Sequence, residues 1–242
     1  SFPTILSQNG ETLHNHKHHQ ILTEGRMIVI DSGAETNMHY ASDFTRTIPS
    51  GGKFTQQQKE IYQIVAAANN LAVGLAHPGV AYRDVHLSAC RIIAQGLTNL
   101  GIMKGDVDEA VASGAHALFM PHGLGHNMGL DVHDMENLGE VYVGYDGQPK
   151  STQFGFKSLR LARPLEPGFV FTVEPGIYFI PELIDKWRAE KMYTDFICYD
   201  KLDSWRDFTG LRNEEDYLIT ETGAQLLGKR IPLNADEVEA IR

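Results

Sequence analysis

Hydrophobic and polar positions change period several times along the chain, and each change marks an element. Ile28-Val29-Ile30 is an apolar run that ends on Asp31 and turns at Ser32-Gly33; residues 41–47 return as a second extended stretch carrying Asp43. The pattern predicts two strands joined by a turn between residues 25 and 48. At Thr55 the period lengthens. Thr55 and Gln58 have the spacing of a capping box, and Ile61, Ile64, Val65, Ala68, Leu71, Ala72 and Leu75 then recur at helical intervals until Pro78-Gly79. A second helix is predicted over residues 84–100 from Val85, Ala89, Ile92, Ile93, Leu97 and Leu100, with Gly101 as its stop, and a weaker third over 106–117.

The second half is more extended. Two glycines between His122 and His126 oppose a helix there, and residues 136–161, rich in Gly, Tyr and polar side chains without a clear period, predict a long functional loop. Residues 169–174 form an apolar strand ending on Glu174, and Pro175-Gly176 leads into further extended chain to Ile180. Residues 211–220 predict one strand with Arg212, Glu214 and Asp216 on one face, and residues 235–241 a short closing helix. No internal repeat or low-complexity linker interrupts the pattern.

Composition narrows the class. With 242 residues, 42% hydrophobic and 21% charged, the chain can build one sizeable core. A formal net charge of −10 argues against nucleic acid or an anionic membrane as partner. Two cysteines, Cys90 and Cys198, do not make a disulfide framework, and no apolar run has membrane-spanning length, so a cytoplasmic protein is expected. The histidines between 14 and 19 are compatible with a metal-sequestering tract, but a solvated loop is the commoner origin of such a run.

Strands that end on acids need an explanation. Asp31 before Ser-Gly is also an ordinary turn signature. Asp43, Glu174 and Glu214 repeat the theme, however, and a buried unpaired carboxylate costs several kcal/mol. Four carboxylates with the imidazole of His126 form a hard, oxygen-rich donor set, suited to manganese or a similar divalent ion rather than to a structural zinc site. Two divalent ions balance four carboxylates.

Five stretches in this order carry a specific resemblance: Ile-Asp-Ser-Gly-Ala-Glu at Asp31, Ser-Asp-Phe-Thr-Arg-Thr at Asp43, His-Gly-Leu-Gly-His at His126, Thr-Val-Glu-Pro-Gly at Glu174 and Gly-Leu-Arg-Asn-Glu-Glu-Asp at Glu214. Together they resemble the motifs of the pita-bread metallopeptidases, and within these the Xaa-Pro peptidases, aminopeptidase P and prolidase. The resemblance runs from about Gly10 to the C-terminus. It implies an α/β (α+β) fold with a curved, mostly antiparallel sheet and outer helices, and hydrolysis of the bond before proline by a water held between two metal ions. Manganese is the first expectation, with cobalt or zinc as alternatives.

The implied roles follow by position. Asp31 chelates one ion, Asp43 and Glu214 bridge both, and His126 and Glu174 complete the second, with Glu174 as proton shuttle. His14, His122 and His133 hold the peptide and stabilise the tetrahedral intermediate, Arg212 orients the acids or the substrate, and Arg163 meets the substrate's carboxylate end. Xaa-Pro bonds call for a dedicated site because proline's nitrogen carries no hydrogen, so the ring itself must be recognised. The expected partners are a proline-containing peptide and further copies of the chain.

Three features depart from the family pattern. The interval from Asp31 to Asp43 is one residue wide of it, Asn213 replaces an aliphatic residue, and the chain starts where the family's catalytic domain is already under way. The whole chain, 1–242, is therefore expected to be one catalytic domain from the C-terminal part of a longer protein. A methionine aminopeptidase-like enzyme and a non-catalytic binding module on the same fold are the alternatives.

Overall fold

A computed structural model describes residues 2–241. The predicted strand pair forms as β2 (Met27–Asp31) and β3 (Thr45–Pro49), antiparallel with Asp31 opposite Thr45; β1 (Ile5–Ser7) adds to the other edge of β2. Asp43 is not within β3. It lies two residues ahead of it, at the end of the connection between the strands.

The capping box closes as its spacing predicts: Thr55 Oγ1 accepts from the Gln58 amide, and Gln58 Oε1 accepts from Thr55 N–H, opening α1 (Gln56–Leu75). Thr55→Ala is expected to cost about 1 kcal/mol, read as a lower denaturation midpoint with an unchanged urea slope. Tyr82–Asn99 forms α2, starting two residues before the predicted 84, and α3 (Val107–Ser113) stops at Gly114, whose φ is 94°. A 3-10 turn, Ala115–Leu118, follows, so the predicted 106–117 helix is two pieces.

Residues 136–161 are not a featureless loop. They contain 3-10 turns at Glu136–Leu138 and Phe156–Ser158 around α4 (Glu140–Tyr145), and Gly144 C=O accepts from the amides of Ala162 and Arg163. Short helices with few apolar positions leave too weak a period to be seen in sequence. The same holds for α5 (Pro181–Ala189), entered through Pro181, and α6 (Tyr199–Leu202).

The remaining strands are β4 (Val170–Val173), β5 (Gly176–Tyr178), β6 (Gly210–Arg212), β7 (Glu215–Thr220) and β8 (Gly223–Leu226), and α7 (Ala235–Ala240) closes the chain. The predicted strand 211–220 is thus two strands. β6 pairs with β5 while β7 pairs with β4 and β8, and at the break Glu214 pairs with Thr45 of β3. The chain changes partner at Glu214, which bends the antiparallel layer and brings β2, β3, β4 and β6 around one concavity.

The two long helices cover the convex side and are pinned beside the acids. Asn69 of α1 donates to Val173 O (3.0 Å), Tyr62 donates to Asn213 Oδ1 (3.1 Å) and Tyr82 donates to Thr172 O (2.6 Å). Asn213 therefore points to the helices, away from the acids, and Tyr62 meets its side-chain oxygen, while its Nδ2 is buried without a partner among the described residues. Each anchor is within two residues of Glu174 or Glu214 in the chain, so core packing fixes where those carboxylates start.

Candidate metal centre

Asp31 closes β2 and its side chain turns into the concavity. The connection to Asp43 folds back on itself: Ser42 N–H donates to Ala34 O (2.9 Å) and Ser32 N–H to Phe44 O (3.0 Å). Gly33 is required there, since a Cβ would come within 1.8 Å of Ser42 O. The tip, residues 36–40, bulges outward with His39 at φ 65°, and accommodates the extra position without disturbing the Asp31–Thr45 register.

Residues 123–126 run against β4. Gly125 is required by close approach, a Cβ lying 2.0 Å from Thr172 O, and His126 N–H donates to Thr172 Oγ1 (3.1 Å). His126 Nδ1 faces the carbonyl of Asn127 at 3.0 Å. A carbonyl only accepts, so Nδ1 carries the proton and the Nε2 lone pair points to Asp43 Oδ2 (3.4 Å) and Glu174 Oε1 (3.7 Å). Glu174 Oε1 also accepts from Thr172 Oγ1 (3.4 Å), and Glu214 Oε2 accepts from Thr45 Oγ1 (2.6 Å).

Asp31, Asp43, His126, Glu174 and Glu214 thus line a single cavity of about 270 Å³, together with His14, His122, His133, Arg160 and Arg212. Ligand atoms of Asp43, His126 and Glu214 lie within 4.8 Å of one another. Among the described residues, Asp31 Oδ1 and Asp43 Oδ1 are buried without a hydrogen-bond partner. Burial pushes the Glu174 carboxyl up to about 7; burial and then the neighbouring acids raise Glu214 well above its ordinary value, and burial raises Asp31 against the pull of Arg212. Acids that repel one another and keep bare oxygens in a closed space fit a divalent cation.

A raised carboxyl stabilises the fold below its unfolded pKa and loses that contribution as pH climbs through the folded value. After chelation, stability is therefore expected to fall as pH rises from 4.5 through about 7, the window of Glu174, and a bound divalent cation is expected to flatten that slope. Thermal melts across this range, with and without metal, check it.

Two supporting groups were not singled out from sequence. Tyr178 OH accepts from Arg212 Nη1 (2.9 Å) and donates to His122 Nε2 (3.0 Å), while His122 Nδ1 donates to Gly123 O (2.8 Å). Both nitrogens of His122 are engaged, so it is held rather than free to meet a peptide. Asp216 Oδ2 accepts from Asp43 N–H (3.1 Å) and sets the backbone of that acid. Arg212 Nη2 donates to Asp31 Oδ2 (2.6 Å). His133 packs edge-on against His126 with ring centroids 4.5 Å apart, and the more exposed His14 lies at the rim.

Arg163 is outside this cavity. It pairs with Glu166 (2.7 Å), lies over the Phe169 ring (5.3 Å) and lines a neighbouring, more apolar cavity of about 730 Å³. Besides Arg212, the cationic residue lining the metal cavity is Arg160, paired with Glu136. The bend between Arg160 and Arg163, where the chain hydrogen-bonds to Gly144, separates the two arginines in space, and residue spacing does not reveal it.

Comparison with known proteins agrees with this geometry. The profile of metallopeptidase family M24 matches residues 1–221. The Xaa-Pro dipeptidase of Homo sapiens is 41% identical over 219 residues, covering 90% of this chain and 43% of that protein, and the Xaa-Pro aminopeptidase of Escherichia coli (strain K12) is 38% identical over 245 residues, covering 100% and 47%. The structure of aminopeptidase PepP from Pseudomonas aeruginosa superposes with a TM-score of 0.76 at 34% identity, over 99% of this chain and 47% of that one. A zinc-substituted Escherichia coli aminopeptidase P in complex with product gives 0.77 at 38%, over 99% and 46%. The chain spans about half the length of the curated relatives it matches. Its bent antiparallel layer with outer helices is the pita-bread fold, and the chain belongs to metallopeptidase family M24.

Proposed function

We propose that Asp31, Asp43, His126, Glu174 and Glu214 hold two divalent cations, manganese in the first place, and that the site hydrolyses the bond preceding proline in short peptides. The observation that carries this reading is the convergence of four separated acids and a histidine nitrogen on one cavity with two bare carboxylate oxygens. When bound, such ions lower the pKa of a water and polarise the scissile carbonyl.

The chain's own residues do the rest. Glu174, a carboxylate on the cavity wall, is placed to take a proton and pass it to the leaving nitrogen. Thr172 and His126 fix one of its oxygens. Arg212 and Tyr178 hold Asp31 and His122 in place, which leaves His14 and His133 as the imidazoles able to meet a peptide carbonyl. The unpaired state of both cysteines fits a reducing, cytoplasmic setting.

Arg160, not Arg163, is the cation for a substrate's terminal carboxylate. A charge-assisted hydrogen bond is worth about 1.5–3 kcal/mol, about tenfold to a hundredfold. With the manganese-loaded chain, Xaa-Pro dipeptides, longer Xaa-Pro peptides and Met-initiated controls are to be compared. Xaa-Pro cleavage is expected, and Arg160→Ala is expected to raise KM for dipeptides by that factor while sparing longer peptides. Cleavage confined to Met-initiated peptides, or none with manganese bound, overturns the reading.

A further inference from the structure

A second group of potential ligands lies in the core, away from the carboxylates. His86 and Cys90 occupy positions i and i+4 on the buried face of α2, and the 3-10 turn after α3 brings His116 to them. One ligand atom from each lies within 4.8 Å of the others, and all three residues are at most 1% exposed. A core built only for packing would place apolar side chains here. Instead, the ring nitrogens of His86 find Cys90 Sγ, at 3.6 Å from Nε2 and 3.9 Å from Nδ1, and His116 Nδ1 is buried without a partner among the described residues. An unpartnered imidazole nitrogen in the core is unfavourable, and a cation removes that cost.

We propose that His86, Cys90 and His116 form a second metal site, independent of the carboxylate centre, that binds copper(I) in a closed three-ligand cage. Metal–sulfur and metal–nitrogen bonds of about 2.3 and 2.0 Å place sulfur and nitrogen about 3.5–3.7 Å apart, the separation already present between Cys90 and His86. A thiolate and two imidazoles are soft-to-borderline donors, which select copper(I) or zinc over manganese. Charge decides between those two. One thiolate with a monovalent ion is neutral, whereas zinc leaves a net positive charge in a pocket that, among the described residues, has no carboxylate in the cluster and no exposure to supply a fourth, water ligand.

Binding is an exchange without redox change: the Cys90 S–H bond breaks, the sulfur–copper(I) bond forms, and one proton leaves to solvent. The exchange needs a deprotonated thiol and two neutral imidazoles that offer their lone pairs. The ion ties α2 to the turn following α3.

The test uses the full chain with Cys198→Ser, which removes the other thiol, titrated anaerobically with copper(I) held by bicinchoninate and left to equilibrate, since a buried site exchanges through local opening. A parallel sample is isolated from copper-supplemented cells and its metal measured. One equivalent of copper(I) per chain is expected in both, with a thiolate-to-copper absorption band and a thermal midpoint that climbs with copper concentration. Cys90→Ser and His116→Gln are expected to lose the band and the shift, while Asp43→Asn keeps them. The stoichiometry of the Cys198→Ser chain stands whether or not those further variants fold. No copper above the Cys90→Ser level in either sample, or zinc retained in its place, overturns the proposal.

Discussion

Asp43→Asn is expected to abolish manganese binding at the carboxylate centre and to lower Xaa-Pro hydrolysis by about three orders of magnitude or more. The size follows from what the position supplies: metal assistance is worth several kcal/mol of transition-state stabilisation, at about 1.4 kcal/mol per decade. Asp43 is buried, faces His126 Nε2 at 3.4 Å and keeps one oxygen bare. An amide has the same shape but no charge, so the pocket is preserved and the ligand set is lost. The measurement is kcat/KM with metal content determined on the same sample. Unchanged turnover sinks the mechanism proposed above. The fold is expected to survive, because the substitution removes one of several crowded acids and Asp216 still accepts from the residue 43 amide.

Arg212→Met acts in the opposite way, on the fold before the chemistry. Arg212 is buried and its guanidinium donates to Asp31, Tyr178 and Thr45. Removing one partner of a buried ion pair leaves the other charge uncompensated, at a cost of about 3–5 kcal/mol. That is a large share of the stability of an ordinary domain. Urea denaturation of the chelated protein should show this loss, and Asp31→Asn in the same chain should return part of it, since the amide no longer needs the cation. A midpoint equal to that of the parent chain would falsify the claim that Arg212 neutralises Asp31. The same variant frees Tyr178 from its donor, so the ring signals of His122 are expected to shift.

The acids were legible in sequence because each contradicts its local context. Asp31 and Glu174 end apolar strands, and Glu214 interrupts one, so a burial argument flags them without any coordinates. The same argument finds no signal for Tyr178 or Asp216: a tyrosine in a strand and an acid on an alternating face are ordinary, and only their partners, His122 with Arg212 and the Asp43 amide, show what they position. Arg160 and Arg163 are nearly equivalent as sequence. The bend at Gly144 sends one to the metal cavity and the other over Phe169. His86, Cys90 and His116 read as core from their helical setting, and their meeting depends on how the turn after α3 docks on α2.

By itself, the sequence determined the long helices, the strand pair that carries Asp31 and the capping of α1, because periodicity and cap chemistry are local properties, and its five motifs and the cost of buried charge pointed to the five proposed metal ligands. Tertiary structure decided the rest. The division of residues 211–220 between two sheets arises because Glu214 exchanges one strand partner for another across Thr45, a choice made by non-local hydrogen bonds. The same partner change bends the layer and brings Asp31 and Asp43 of the hairpin, Glu174 after β4 and Glu214 between β6 and β7 to within reach of one another, and no spacing along the chain specifies that distance.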